Sequence, residues 1–191
     1  MNELEWAKSV QGFVNDFLQK NAPNLEMLIG ANLPYGYEIL EYKDNQPSVS
    51  KSISYETDLL IIEKTSSSSW IPRVIVECKI DRVTTHDAIT YSEKASTHKH
   101  VHPYLRYGII LGNRGTYPPP GRLFRHGLYF DFMASWVAFG PTEIEFNILL
   151  EILLDEVKAS RNLQEMIFKS RSSSRKRYVA LHRPLRLTVL E

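Results

Sequence analysis

Apolar residues at Leu4, Ala7, Val10, Val14, Phe17 and Leu18 recur at three- and four-residue spacing, which predicts an amphipathic helix from Asn2 to about Lys20. Glu3 and Glu5 sit where the positive end of that helix favours carboxylates. Asn21 to Asn24, with Pro23 among them, breaks it, and a short helical turn through Leu28 and Ile29 is expected next. The period then changes to two. Tyr37 to Tyr42 reads as a strand, Lys43 to Pro47 carries turn chemistry, and Val49 to Tyr55 leads into Asp58 to Glu63, giving a meander. Thr65 to Ser69 is a polar connector. After it, Val74, Val76, Cys78 and Ile80 alternate with Ile75, Glu77 and Lys79 in the pattern of a strand.

Thr84 and Asp87 are spaced as a capping box, opening a helix from about Thr85 to His98. Its small residues Ala88, Ser92, Ala95 and Ser96 suit close packing on a sheet. Arg106 to Leu111 is the next buried strand, and crossing from strand through helix to strand implies a parallel neighbour. A further strand is expected over His126 to Phe132. Pro141 and Thr142 open a helix to about Glu156, with Ile144, Ile148, Leu149, Ile152 and Leu153 on its core face, and a second amphipathic piece continues towards Phe168. Tyr178 to Leu190 reads as an extended end. The sum is a single α/β domain over residues 1–191, with a central mixed sheet flanked by helices.

Residues two apart on a strand share a face, so Glu77 and Lys79 project together past the apolar Ile75. Asp58 introduces the apolar run Leu59 to Ile62 in the same way. Such charges are costly to bury unless paired, hydrogen-bonded or bound to a metal. A solvated same-face pair on an edge strand is the bland alternative.

Asp58 followed by Glu77-Cys78-Lys79 resembles the PD-(D/E)xK signature of restriction endonucleases and related DNA-cleaving enzymes. The resemblance covers about residues 1 to 112, leaving 113–191 as loops, helices and a basic C-terminal segment outside it. Thr57 stands where the family often has proline, a position at which replacement is common. The resemblance implies a restriction-endonuclease-like fold and metal-assisted hydrolysis of duplex DNA of the type II restriction kind. Asp58, Glu77 and the Cys78 main-chain carbonyl would hold Mg²⁺, with Mn²⁺ as a substitute, and Lys79 would position or deprotonate water or act as a cation. It also implies a homodimer, an extra carboxylate from Glu3 or Glu5, and accessory groups such as Tyr91 or Lys94. A structure-specific or repair nuclease and a non-catalytic DNA-binding subunit are the alternatives.

Charge sharpens where DNA would lie. The net charge is only +1. Residues 1 to 60 hold 4 Lys/Arg and 9 Asp/Glu, giving −5, whereas 161 to 191 hold 8 and 2, giving +6. A basic face on a neutral protein suits phosphate binding. Its candidates are Arg114, Arg122 and Arg125 in a long proline-rich segment, and Arg175, Lys176 and Arg177 in the Ser-rich run Lys169 to Arg177. A partner-binding polyproline motif and a solvated loop are the respective rivals. His98, His100 and His102 suit a helix C-terminus, with a transition metal as the other reading. The lone cysteine, the acidic start and the absence of a ~20-residue apolar run predict a cytoplasmic protein with no membrane partner.

Overall fold

The computed structural model describes residues 1–182 and 185–188. In chain order the elements are α1 (Glu3–Asn21), β1 (Leu25–Lys43), β2 (Gln46–Lys64), β3 (Trp70–Ile80), α2 (Thr85–Val101), β4 (Arg106–Gly112), α3 (Gly121–His126), β5 (Phe132–Ser135) and α4 (Glu143–Phe168). The strands form one mixed sheet in the order β1-β2-β3-β4-β5. Its first two pairings are antiparallel and its last two parallel, the β3–α2–β4 crossover supplying the parallel neighbour that the pattern implies. Helices cover both faces.

Three helices begin with a reciprocal capping box, at Asn2/Glu5, Thr84/Asp87 and Thr142/Glu145. Each box satisfies two backbone N–H groups that the first turn leaves open. One face of the sheet receives α1 and α4, packing Trp6, Val10, Val14, Leu149, Leu153 and Val157 on Leu59, Ile61, Val74, Val76 and Cys78. The other receives α2 through Ala95, against Leu60, Ile62, Ile75 and Tyr107. Arg73 ties α4 down at one end, bonding Glu63 at 2.7 Å and Gln164 at 2.7 Å.

Trp6 is fully buried, and its indole N–H donates to the Phe139 carbonyl at 2.9 Å. A Cβ added to Gly112 would collide with that ring. Gly112→Ala therefore has to displace α1, and a loss of about 1–3 kcal/mol is expected in urea unfolding.

Several expectations change. Leu28 and Ile29 are not helical; they pair with Leu60 and Leu59 inside β1, because a neighbouring strand satisfies their backbone groups. β2 runs unbroken from Gln46 to Lys64 instead of in two legs. The strand expected over His126 to Phe132 begins only at Phe132, after the short helix α3. Asp131 holds the chain just before it, exchanging bonds with the Tyr107 backbone at 2.7 and 2.8 Å. α2 runs to Val101, and α4 is one helix to Phe168. No strand forms at 178–182 or 185–188, while 183, 184 and 189–191, including Leu190, lie outside the described residues. Among the described residues, no helix is long and apolar enough to cross a membrane.

Candidate active site

The site forms where β2 and β3 part. Their pairing begins at Leu59↔Val76, so the backbone of β3 beyond Val76 loses its partner on that side. At the fork, Asp58 Oδ2 accepts the Cys78 N–H at 2.8 Å, replacing the missing ladder bond. The N–H and C=O of one strand residue point the same way, so the Cys78 carbonyl is directed into the same opening. Opposite Asp58, Gly30 adopts φ +64°, a left-handed turn that glycine makes without strain. Thr57 is buried and donates its hydroxyl to the Ala31 carbonyl at 2.9 Å.

Glu77 points to the face shared with Ile75 and is only 2% exposed. Its carboxyl accepts a hydrogen bond from the Tyr107 hydroxyl on β4 and lies close enough to Asp58 to feel its charge. Burial, then the Asp58 charge, push the Glu77 carboxyl up to about 7, against the opposing pull of the Tyr107 hydroxyl and the Lys94 ammonium. Two crowded carboxyls, one of them starved of water, favour a bound cation.

Lys79 Nζ contacts both oxygens of Glu3, each at 3.1 Å, and sits 5.2 Å from the centre of the Tyr91 ring. Burial pulls the Lys79 ammonium down, but hydrogen bonds to Tyr91 and Glu3 outweigh it and leave it above the ordinary lysine value. This lysine stays charged. Lys94 Nζ lies 5.0 Å from the Tyr91 ring centre and 5.4 Å from that of Tyr55.

Of the three residues singled out from the pattern, Asp58 and Glu77 lie close together, while the Lys79 ammonium turns to Glu3 and Tyr91. Of the two N-terminal glutamates, Glu5 closes the capping box, while Glu3 meets Lys79. Tyr107 escaped the sequence reading. Its place next to Glu77 follows from the β3–β4 register, in which Ile75 pairs with Tyr107 and Glu77 with Ile109.

The basic candidates stand apart from one another in role. Arg114 is half-buried and donates to the Asp81 carbonyl, bracing its own loop. Arg122 is exposed and bonds the Val83 carbonyl at 3.1 Å. Arg125 and Arg177 are exposed. Arg175 bonds the Ser170 carbonyl at 2.7 Å, and Lys176 pairs with Glu165 at 2.5 Å. The three histidines do not converge: His98 is fully buried, His102 half-buried and His100 exposed. Burial lowers His98 to about 4, so it is neutral, packed between Tyr55 and Tyr107.

Among the described residues, no group of three or more His, Cys, Asp and Glu side chains is placed to hold a metal. Asp58 and Glu77 with the Cys78 carbonyl form an all-oxygen set of two carboxylates and a carbonyl. That composition fits Mg²⁺, which keeps several waters and takes few protein ligands. No protein-family model matches the chain, and no curated protein matches its sequence.

Proposed function

We propose that the chain is a metal-dependent endonuclease of duplex DNA with a restriction-endonuclease-like fold of the PD-(D/E)xK kind. One observation carries the reading: the Asp58 and Glu77 carboxyls crowd together where β2 and β3 part, with Lys79 two residues further along β3 held charged by Glu3 and Tyr91. Asp58, Glu77 and the Cys78 carbonyl would hold Mg²⁺ or Mn²⁺. Such an ion, when bound, supplies Lewis acidity towards the phosphate and a more acidic water.

The protein's own groups do the rest. Tyr107 orients Glu77 by donating to its carboxyl. Lys79, kept protonated, offers a cation to charge growing on the phosphate oxygens and is poorly suited to abstract a proton. Glu3 holds that ammonium in place from α1.

The test is cleavage of supercoiled plasmid in Mg²⁺, with EDTA as the control and synthetic branched junctions alongside. Nicking or linearising intact plasmid supports the restriction-type reading, and cleavage of junctions alone selects the structure-specific alternative. Loss of neither substrate in Mg²⁺ or Mn²⁺ rejects the nuclease reading.

Binding is expected to track salt. Neutralising Arg125 and Arg177 together should flatten the slope of log K against log salt by up to about two phosphate contacts, roughly 0.9 per contact on duplex DNA. Arg114→Gln should leave the slope unchanged, because its side chain is half-buried and braced on the Asp81 carbonyl. Fluorescence anisotropy in Ca²⁺ between 50 and about 200 mM salt reads both.

A further inference from the structure

The side of α2 that turns towards the sheet is not apolar throughout. Tyr91, Lys94 and His98, three and four residues apart, share one stripe of the helix, next to the small Ala95 that packs with Leu60 and Ile75. Opposite that stripe stand Tyr55 on β2 and Tyr35 on β1. Leu33 pairs directly with Tyr55, so both project to the face that α2 covers. Tyr35 is the extra residue of a bulge between Pro34↔Ser54 and Gly36↔Ile53, and a bulge re-aims the side chain it carries.

The re-aimed ring lies flat on its neighbour. The Tyr35 and Tyr55 rings are 3.8 Å apart at their centres and 11° from parallel. His98, fully buried behind them, meets both rings edge-on, at 5.7 Å from Tyr55 and 6.3 Å from Tyr35. It braces the pair from within. Lys94 connects this pair to the candidate site, because its ammonium lies between the Tyr55 and Tyr91 rings and Lys79 lies over the far side of Tyr91. Outward from Lys79 the row therefore reads ring, ammonium, ring, ring. Tyr35 ends it half-buried, and among the described residues Tyr55 alone stacks on it.

Cations alternating with flat rings match a nucleic-acid strand, whose phosphates meet the ammoniums and whose bases stack on the rings. A base within a duplex is stacked on both faces and offers only its edges in the grooves. Only an unpaired base can lie on Tyr35. The exposed carboxylate of Glu38, three residues further along β1, repels phosphate and closes the row at one base. We propose that the Tyr35–Tyr55 stack is a subsite for one unpaired base of the DNA strand that enters the Asp58–Glu77 site, with Lys94 against the intervening phosphate. The proposal rests on DNA being the substrate and narrows it to duplex bearing a frayed end, an overhang or a branch.

The test is fluorescence anisotropy of the full chain in Ca²⁺, with a blunt duplex and the same duplex carrying a short 5′ or 3′ single-stranded overhang. The wild type should bind one of the overhang duplexes about tenfold more tightly than the blunt one, the effect of stacking a single base. Tyr35→Leu should lose that margin and keep its blunt-duplex affinity and far-UV circular dichroism, while Tyr35→Phe, which retains the ring, should preserve the margin. A 2-aminopurine placed in the overhang should be quenched by the wild type and by Tyr35→Phe but not by Tyr35→Leu. Equal wild-type affinity for blunt and overhang duplexes overturns the subsite, as does a margin that survives in Tyr35→Leu. Cleavage without an overhang preference overturns the subsite alone. An overhang preference lost in Tyr35→Leu, in a chain that cleaves nothing, upholds the subsite and rejects the nuclease reading. A chain that binds neither duplex overturns both.

Discussion

Lys79→Ala is expected to lower the single-turnover cleavage rate by about a hundredfold or more, while duplex affinity and divalent-cation affinity persist. The ammonium belongs to the same strand as Glu77, two residues on, yet while protonated it has no lone pair to give a cation. Its removal takes positive charge away, so Mg²⁺ binds no worse by Coulomb's law. Asp58→Ala behaves differently, losing cation binding together with cleavage, because an anionic oxygen ligand is gone. Lys79→Arg separates the two readings of the lysine. A purely electrostatic group tolerates arginine in part, whereas a proton acceptor does not, since the guanidinium never deprotonates. Rapid-quench cleavage beside calorimetric Ca²⁺ titration measures all three. If Lys79→Ala cleaves at the wild-type rate, the Glu3–Lys79 contact is only an ion pair and the enzyme reading falls with it.

Glu77→Gln is expected to abolish cleavage and yet stabilise the fold at pH 8 in EDTA. The Glu77 carboxyl rises from 4.5 when unfolded to about 7 when folded, burial being the first cause and Asp58 the second. Between those values the folded state holds more protons than the unfolded one, so stability falls as pH rises. Below about 4.5 the group has no effect; above 7 its charge costs up to about 3 kcal/mol, since each pH unit between the two values adds about 1.4 kcal/mol. Glutamine removes the charge that is costly to bury and keeps an acceptor for Tyr107. At roughly 2–4 °C per kcal/mol for a chain of this size, Tm at pH 8 should rise by about 5–10 °C. The gap should close as pH approaches 4.5. Mg²⁺ should raise the wild-type Tm at pH 8 and leave that of Glu77→Gln nearly unmoved, because binding stabilises only a fold that retains the site. Calorimetry at pH 4.5, 6 and 8, with and without Mg²⁺, reads the whole pattern. A variant no more stable than wild type at pH 8 places the Glu77 charge in a better-solvated setting than its burial indicates.

The cost of burying the Glu77 charge also explains why the β3 residues were visible without coordinates. Val74, Ile75 and Val76 alternate into a strand buried on both faces, and a Glu and a Lys at the end of such a run break the local rule of apolar burial. Departures of that kind concentrate at sites, and here Asp58 and Glu77 lie close together, with Lys79 two residues on and turned to Glu3. The capping box at Thr84 and Asp87 and the parallel β3–β4 pairing were legible for similar reasons, each depending on contacts within a few residues or on one crossover.

What the chain order leaves open lies in contacts between distant residues. Leu28 and Ile29 look equally suited to a turn of helix or a strand, and only Leu60 and Leu59 alongside decide for β1. Glu3 and Glu5 are both first-turn carboxylates; the rotation of α1 on the sheet gives Glu5 to Asn2 and Glu3 to Lys79, a partner 76 residues away. Tyr107 carries no local mark, since any strand accepts a buried tyrosine, and its bond to Glu77 exists because β3 and β4 pair in one register. Arg114 reads as free to bind phosphate until the fold brings the Asp81 carbonyl to it. The sequence by itself determined the helix, strand and cap periods and the three charged residues that sit against them. The tertiary structure alone decided which groups those charges face, because hydrogen bonds and carboxyl repulsion act over a few ångströms of space, whatever the separation along the chain.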